Sequence, residues 1–165
     1  MIKKELDNLE IILCQYQSEM FERSIDLVDC SSIQFINKFM RSNLAERMDD
    51  IGFLWEANSV DNYLKELLST IKYRKGGKKY PSNTLAWVGY LYRFFSYTYK
   101  YTSCQVLSLI KPETLLSCYE AYHSLDVLEA IKRLLEAGGY DTEEPISLLE
   151  IMKESRKNMI VECKK

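Results

Sequence analysis

The single histidine, His123, is the residue whose side chain most readily does acid–base chemistry. A catalytic histidine needs a nucleophile or a carboxylate within hydrogen-bonding reach. Ser124 and Asp126 follow it at a predicted helix junction, where both side chains are typical of helix caps. A hydrogen-bonded structural histidine is therefore favoured, and an enzyme acting through His123 on an unnamed substrate stays the third functional alternative.

The five cysteines are scattered along the chain, and no two have the Cys-x-x-Cys spacing of a metal or redox motif. Cys118 precedes His123 by five residues, about 500° of helical turn, so the two are not on one helix face. We predict no catalytic residue, no cofactor and no metal site, and cysteines that serve mostly as small core residues. They are Cys14, Cys30, Cys104, Cys118 and Cys163.

The middle of the chain concentrates positive charge. Residues 72–111 carry eight basic and no acidic side chains, although the whole chain has a net charge of −2. Five of the eight lie in residues 72–80, which read KYRKGGKKY; they are Lys72, Arg74, Lys75, Lys78 and Lys79. Two glycines without a GxxxxGK pattern do not make a phosphate loop. The run predicts an exposed loop, either merely solvated or binding an acidic partner.

Residues 80–101 hold nine of the chain's 20 aromatic residues, with Arg93 among them. An arginine among rings is costly unless it is paired or stacked. One interpretation is a structural bridge from Arg93 to an acid on a neighbouring helix. The other is a partner-facing Arg93 beside Tyr90, since Tyr and Arg are frequent interface anchors.

Residues 102–125 have the outline of a helix-turn-helix, with Pro112 at the start of the second helix. DNA-reading helices present basic or amide side chains, whereas this helix presents Glu113 and Glu120. Nucleic-acid binding is accordingly disfavoured, and a nucleic-acid-binding regulator is the second functional alternative.

Apolar residues recur at three- and four-residue intervals through most of the chain, and there are only six Gly and three Pro. This pattern predicts an all-α fold, a compact bundle of about six to eight helices with the helix at 84–101 in the centre. Expected helices lie near 3–22, 32–41, 60–71, 104–110, 113–123, 125–137 and 146–161, with a short turn ending at Met48. Caps are expected from Ser59, from Ser82 or Asn83, from Thr102 or Ser103, and from Ser124. Ile51 to Trp55 is expected to be a brief apolar connection.

A chain of 165 residues predicts one domain, here divided into an N-terminal helical arm (1–29), a helical core (30–139) and a C-terminal helix (140–165). Acidic residues occur near the first residue, before any apolar run, so a signal peptide is not expected. No stretch has the roughly 20 apolar residues that a membrane span requires. We predict a cytoplasmic protein with reduced thiols and no membrane partner.

Four segments together resemble a family of small bacterial proteins of unknown activity: residues 39–49 (FMRSNLAERMD), 87–93 (WVGYLYR), 110–113 (IKPE) and 122–126 (YHSLD). Genes of that family often lie beside toxin-like ADP-ribosyltransferase genes. The resemblance covers roughly residues 30–136 and implies an antitoxin-like or toxin-associated role, without assigned catalytic residues.

The predicted function is a non-enzymatic module that binds and occludes a partner protein such as a toxin, with self-association left open. The expected partner-binding residues are Lys72, Arg74, Lys75, Lys78, Lys79, Tyr90 and Arg93.

Overall fold

The computed structural model describes residues 5–142 and 146–162, and this part of the chain is all-α, as predicted. Within these residues, nine α-helices and one 3₁₀ helix follow one another, and eight of the α-helices have seven or more residues. They are α1 (Asn8–Leu27), α2 (Ser32–Met40), α3 (Asn43–Met48), the 3₁₀ helix (Ile51–Glu56), α4 (Val60–Thr70), α5 (Ser82–Tyr99), α6 (Ser103–Leu109), α7 (Pro112–Tyr122), α8 (Val127–Ala137) and α9 (Leu148–Glu162).

Helix α5 is the centre of the bundle, as expected, and packs against α1, α6, α7 and α8. Its contact with α1 is the closest: a Cβ added to Gly89 would lie 2.7 Å from the carbonyl oxygen of Gln17 and 2.8 Å from Cγ of Phe21. Such distances are well inside van der Waals contact, so a side chain at position 89 would push the two helices apart.

The expected N-terminal arm is wrong as a separate unit. Leu13, Met20 and Phe21 of α1 are fully buried in the core that α5 organises. The predicted start near residue 3 is also too early, because Asp7 caps the helix by accepting hydrogen bonds from the backbone N–H groups of residues 9 and 10. Residues 1–4 lie outside the described part.

Two of the four expected caps are present: Ser59 and Thr102 each accept a hydrogen bond from a backbone N–H in the first turn of α4 and α6. Ser31 caps α2 in the same way. Two expectations are wrong. Helix α5 begins at Ser82, after Pro81, with no side-chain cap. Helix α8 is capped by Asp126 and not by Ser124, because the Asp126 carboxylate accepts from the N–H groups of residues 128 and 129.

Helix α9 packs on α6, and Ile151 is its buried anchor. The Tyr101 hydroxyl donates to the carbonyl of Ile146 at 3.2 Å just before the helix. Residues 143–145 and 163–165, including Cys163, lie outside the described part. Within the described part, no helix has the length and apolarity that crossing a bilayer requires.

Candidate functional site

Arg93 lies in the middle of α5 and is completely buried. Its guanidinium donates to the Asp49 carboxylate at 2.6 Å, to Oε1 of Gln17 at 2.9 Å and to Oγ of Ser103 at 2.8 Å. We call these four residues the Arg93 cluster. Three other elements, α1, the end of α3 and the start of α6, thus converge on one side chain of α5.

The prediction that Arg93 faces a partner is wrong, and the structural-bridge interpretation is right. Asp49 also accepts from the N–H of Ser103 at 3.0 Å and from its hydroxyl at 2.6 Å. The guanidinium lies 5.6 Å from the centre of the Tyr97 ring. With its donors used internally and no exposed surface, Arg93 holds α5 to its neighbours and is not available for docking.

Two clefts flank Asp49, and both Asp49 and Thr102 line each of them. One has a volume of about 460 Å³ and contains Glu10, Tyr97 and Lys100; the other has about 280 Å³ and contains Arg41 and Glu46. Burial raises the pKa of Tyr97, whose hydroxyl donates to the carbonyl of Met48 at 2.6 Å. Asp49 and Tyr97 hold helices together here, Asp49 through Arg93 and Ser103 and Tyr97 through the carbonyl of Met48.

The basic loop, residues 72–80, is an ordered element fixed to the junction between α1 and α2. The N–H of Gly76 donates to the carbonyl of Asp29 at 3.1 Å, and the N–H of Ser32 donates to the carbonyl of Lys78 at 3.0 Å. The Gln34 side-chain amide accepts a hydrogen bond from the backbone N–H of Arg74 at 2.6 Å and donates one to the carbonyl of Arg74 at 2.9 Å. Gly77 has a φ of +104°, and an added Cβ would lie 2.8 Å from Cβ of Ser31. Only glycine fits there.

Four of the five predicted cations of the loop project into solvent: Lys72, Arg74, Lys75 and Lys78. Lys78 also lies over the Tyr80 ring at 4.5 Å, and Lys75 is 3.9 Å from the exposed Asp29 carboxylate. At that distance between exposed groups, neutralisation is weak. The loop therefore presents a positive surface on a backbone that is already ordered.

Lys79 has a different role from the other four cations of the basic loop. Its ammonium donates to the carbonyl of Val28 at 2.6 Å and also to that of Ile25, at the end of α1. Helix α1 has no basic residue in its last turn, so Lys79 supplies the positive charge that the helix C-terminus favours. Lys79 was expected to bind a partner, but its side chain is engaged within the chain.

Tyr90 is half-buried on α5, and its ring stacks on Phe94 with the centres 6.1 Å apart. Burial raises the pKa of its hydroxyl. The structure therefore separates the predicted partner-binding residues into an exposed loop, a half-buried tyrosine and a buried arginine.

His123 has the structural surroundings that the sequence favours. Its Nδ1 lies 2.9 Å from the carbonyl of Tyr119, as a donor to it, and the two rings stack 4.6 Å apart. Burial raises the pKa of the Cys14 thiol to about 12, which keeps it protonated at neutral pH. In the described ranges, no group of three or more His, Cys, Asp or Glu side chains is placed to hold a metal ion.

The α6–α7 pair lacks the surface of a DNA reader. The solvent-facing positions of α7 are Glu113, Thr114, Ser117, Glu120 and Ala121, and α9 lies against α6. An acidic and hydroxyl-bearing face is repelled by phosphates or gains little from them.

One exposed group was not anticipated as a site. Trp55, on the 3₁₀ helix, is 87% exposed, although the sequence was interpreted there as an apolar connection. The only signal was an aromatic residue in a segment too short to bury both faces, followed by Glu56.

Comparisons with protein-family models, curated proteins and solved structures gave no match.

Proposed function

We propose that this chain is a non-enzymatic protein-binding module whose basic loop docks on an acidic surface of a partner protein. One observation carries the proposal: four exposed cations stand on a loop whose backbone is hydrogen-bonded to residues 29–34. A loop that is already ordered loses little conformational entropy on binding. Its charge also accelerates encounter with an acidic surface.

The partner is a protein with a compact acidic patch. Residues 1–71 have a net charge of −6 and residues 112–165 have −4, so the loop is a small positive area on an otherwise acidic molecule. A long nucleic acid that reached the loop would also meet negative surface, which is unfavourable for a polyanion. A folded partner meets only the loop.

The resemblance to the toxin-associated family supports an antitoxin-like role, in which the chain covers its partner's working surface. The motif residues of that resemblance have structural neighbours: Trp87 packs on Tyr119 at 5.7 Å, and Arg93 is the centre of its buried cluster. The shared residues thus maintain the bundle, while the loop outside the motifs supplies partner recognition.

The test compares two triple charge reversals of equal size. Lys72, Lys75 and Lys78 are replaced by Glu in one variant, and Lys65, Lys111 and Lys153 in the control; all six are exposed. Both tagged variants and the unmodified chain are used to capture partners from nuclease-treated native lysate, and the Kd of the captured protein is then measured by calorimetry.

The loop variant is expected to bind that protein at least about tenfold more weakly, a change of about 1.4 kcal/mol, and the control to bind it normally. Equal binding by all three chains would refute the role of the loop. Retention that disappears on nuclease treatment would replace the proposal with nucleic-acid binding.

A further inference from the structure

The strongest feature that the basic loop does not explain is an exposed apolar surface at the other end of α1. It comprises Leu9 and Ile12 on α1 and Ile51 and Trp55 on the 3₁₀ helix, and each is at least 40% exposed. We call it the Trp55 surface. Single exposed apolar residues are ordinary, but a cluster containing an almost fully exposed tryptophan is typical of an interaction site.

The two elements of this surface run side by side. Glu10 and Asp49 line the same cleft, and the Tyr16 hydroxyl donates to the carbonyl of Asn58 at 3.4 Å. The chain from 49 to 58 therefore follows α1 from residue 10 to residue 16. Leu9, Ile12 and Tyr16 are spaced i, i+3 and i+7, which places them on one face of α1.

The 3₁₀ helix is held so that Trp55 projects outward. Phe53 is its one buried residue and packs on the Tyr63 ring with centres 4.7 Å apart. Asp50 caps the first turn by accepting from the N–H of Gly52 at 2.6 Å. Ala57 ends it with a φ of 48°, a left-handed conformation that is unfavourable for a non-glycine residue. These contacts fix the backbone of the 3₁₀ helix, so Trp55 is exposed on an ordered segment.

Acidic groups border the apolar centre. Asp50 adjoins Ile51, and Glu56 adjoins Trp55. Arg47 is the single base in residues 46–56, and it is shared between Glu56 at 3.3 Å and Glu66 at 2.8 Å. An isologous pairing of two copies would bring these acids together, and an anionic lipid or nucleic acid would be repelled. Cations flanking apolar side chains fit the surface best, and a cation can also lie on the indole face.

We propose that the Trp55 surface docks a basic amphipathic segment of a protein partner, a helix with Leu-like residues on one face and Lys or Arg beside them. Ile12 lies in the Trp55 surface, and Val28 lies near the basic loop. The two are separated by about 24 Å along α1, at 1.5 Å per residue. The chain then has two docking surfaces of opposite charge at the two ends of its longest helix. This inference does not depend on the function of the basic loop.

The test uses two fluorescently labelled 14-residue peptides with the same helical Leu pattern, one with Lys and one with Glu at the polar positions. Binding to the full chain is followed by anisotropy at 50 and 300 mM salt. The Lys peptide is expected to bind and the Glu peptide not to bind. Trp55→Ala should weaken the Lys peptide at least tenfold, whereas Trp87→Phe, at the half-buried second tryptophan, should leave it unchanged.

Neutralising the border with Asp50→Asn and Glu56→Gln should lower affinity several-fold and reduce its salt dependence. The loop variant with Lys72, Lys75 and Lys78 reversed should bind the Lys peptide at least as well as the unmodified chain, which separates this proposal from the previous one. Equal binding of both peptides, no binding, or an unchanged affinity in Trp55→Ala would overturn it. So would self-association in sedimentation velocity that Trp55→Ala abolishes, since the occupant would then be a second copy.

Discussion

The Arg93 cluster and the basic loop contain the same kind of side chain in opposite situations. Arg93 is buried and donates to acceptors from three other elements, whereas four of the five loop cations stand in solvent above a fixed backbone. In the cluster, charge is used to hold helices together and its loss is a loss of stability. In the loop, charge is available for another molecule and its loss should leave the fold intact. The role of a cation in this part of the sequence therefore depends on the acceptors that surround its side chain.

The largest expected effect comes from removing the centre of the cluster. Arg93→Met leaves the Asp49 carboxylate and the Gln17 amide without their buried donor, and breaking a buried pair in this way costs about 3–5 kcal/mol. Urea unfolding followed by circular dichroism measures it. Arg74→Met, the same change in the basic loop, should cost less than about 0.5 kcal/mol. Similar losses in the two variants would remove the distinction between the regions.

The second-largest expected effect is a loss of folding stability at alkaline pH. Burial raises the pKa of Cys14 to about 12, and burial also raises those of Tyr92 and Tyr97. Between the ordinary and the raised pKa the folded chain keeps a proton that the unfolded chain has released. Stability is therefore complete below about pH 9 and falls as pH rises, by up to about 1.4 kcal/mol per pH unit for each group.

The measurement is the free energy of unfolding from urea titrations between pH 7 and 11. Cys14→Ala should flatten the decline that begins near pH 9, while the exposed Cys104, replaced by Ala, should leave the profile unchanged. A profile that stays level to pH 11 in the unmodified chain would contradict the burial of these groups.

Gly89→Ala tests the α1–α5 contact on which the cluster depends. In an exposed helix this change adds about 1 kcal/mol of stability through helix propensity. Here the new methyl group would lie 2.7 Å from the Gln17 carbonyl oxygen, so we expect a loss of about 1–3 kcal/mol. The sign of the change in thermal or urea denaturation decides between close packing and an open helix face.

The sequence was sufficient for much of the fold because the relevant signals are local. Apolar periodicity identified the helices, and Ser59 and Thr102 identified two helix starts correctly. The central position of α5 also followed from its aromatic content. Its start did not, because Pro81 precedes the helix where a side-chain cap was expected.

The site could be predicted only in part, because its determinants are long-range. The exposed cations of the basic loop were visible as a basic run without acids. A paired, structural Arg93 was one of the two interpretations, but its acceptors Gln17, Asp49 and Ser103 could not be identified, because they are separated from it by up to 76 residues. Trp55 was missed because its neighbours on α1 lie more than 40 residues away, and only their packing shows that the surface between them is left uncovered.

The smallest expected effect distinguishes two lysines within the basic loop itself. Both are exposed, but Lys79 donates to the Val28 carbonyl at the end of α1. Lys79→Met should cost about 1 kcal/mol, because the last carbonyls of α1 lose their charged donor, and Lys72→Met should stay within about 0.5 kcal/mol. Binding of the acidic partner should show the reverse order, with Lys72→Met the more damaging. If Lys79→Met is as stable as Lys72→Met and weakens binding more, Lys79 belongs to the docking surface and the cap at the end of α1 contributes little.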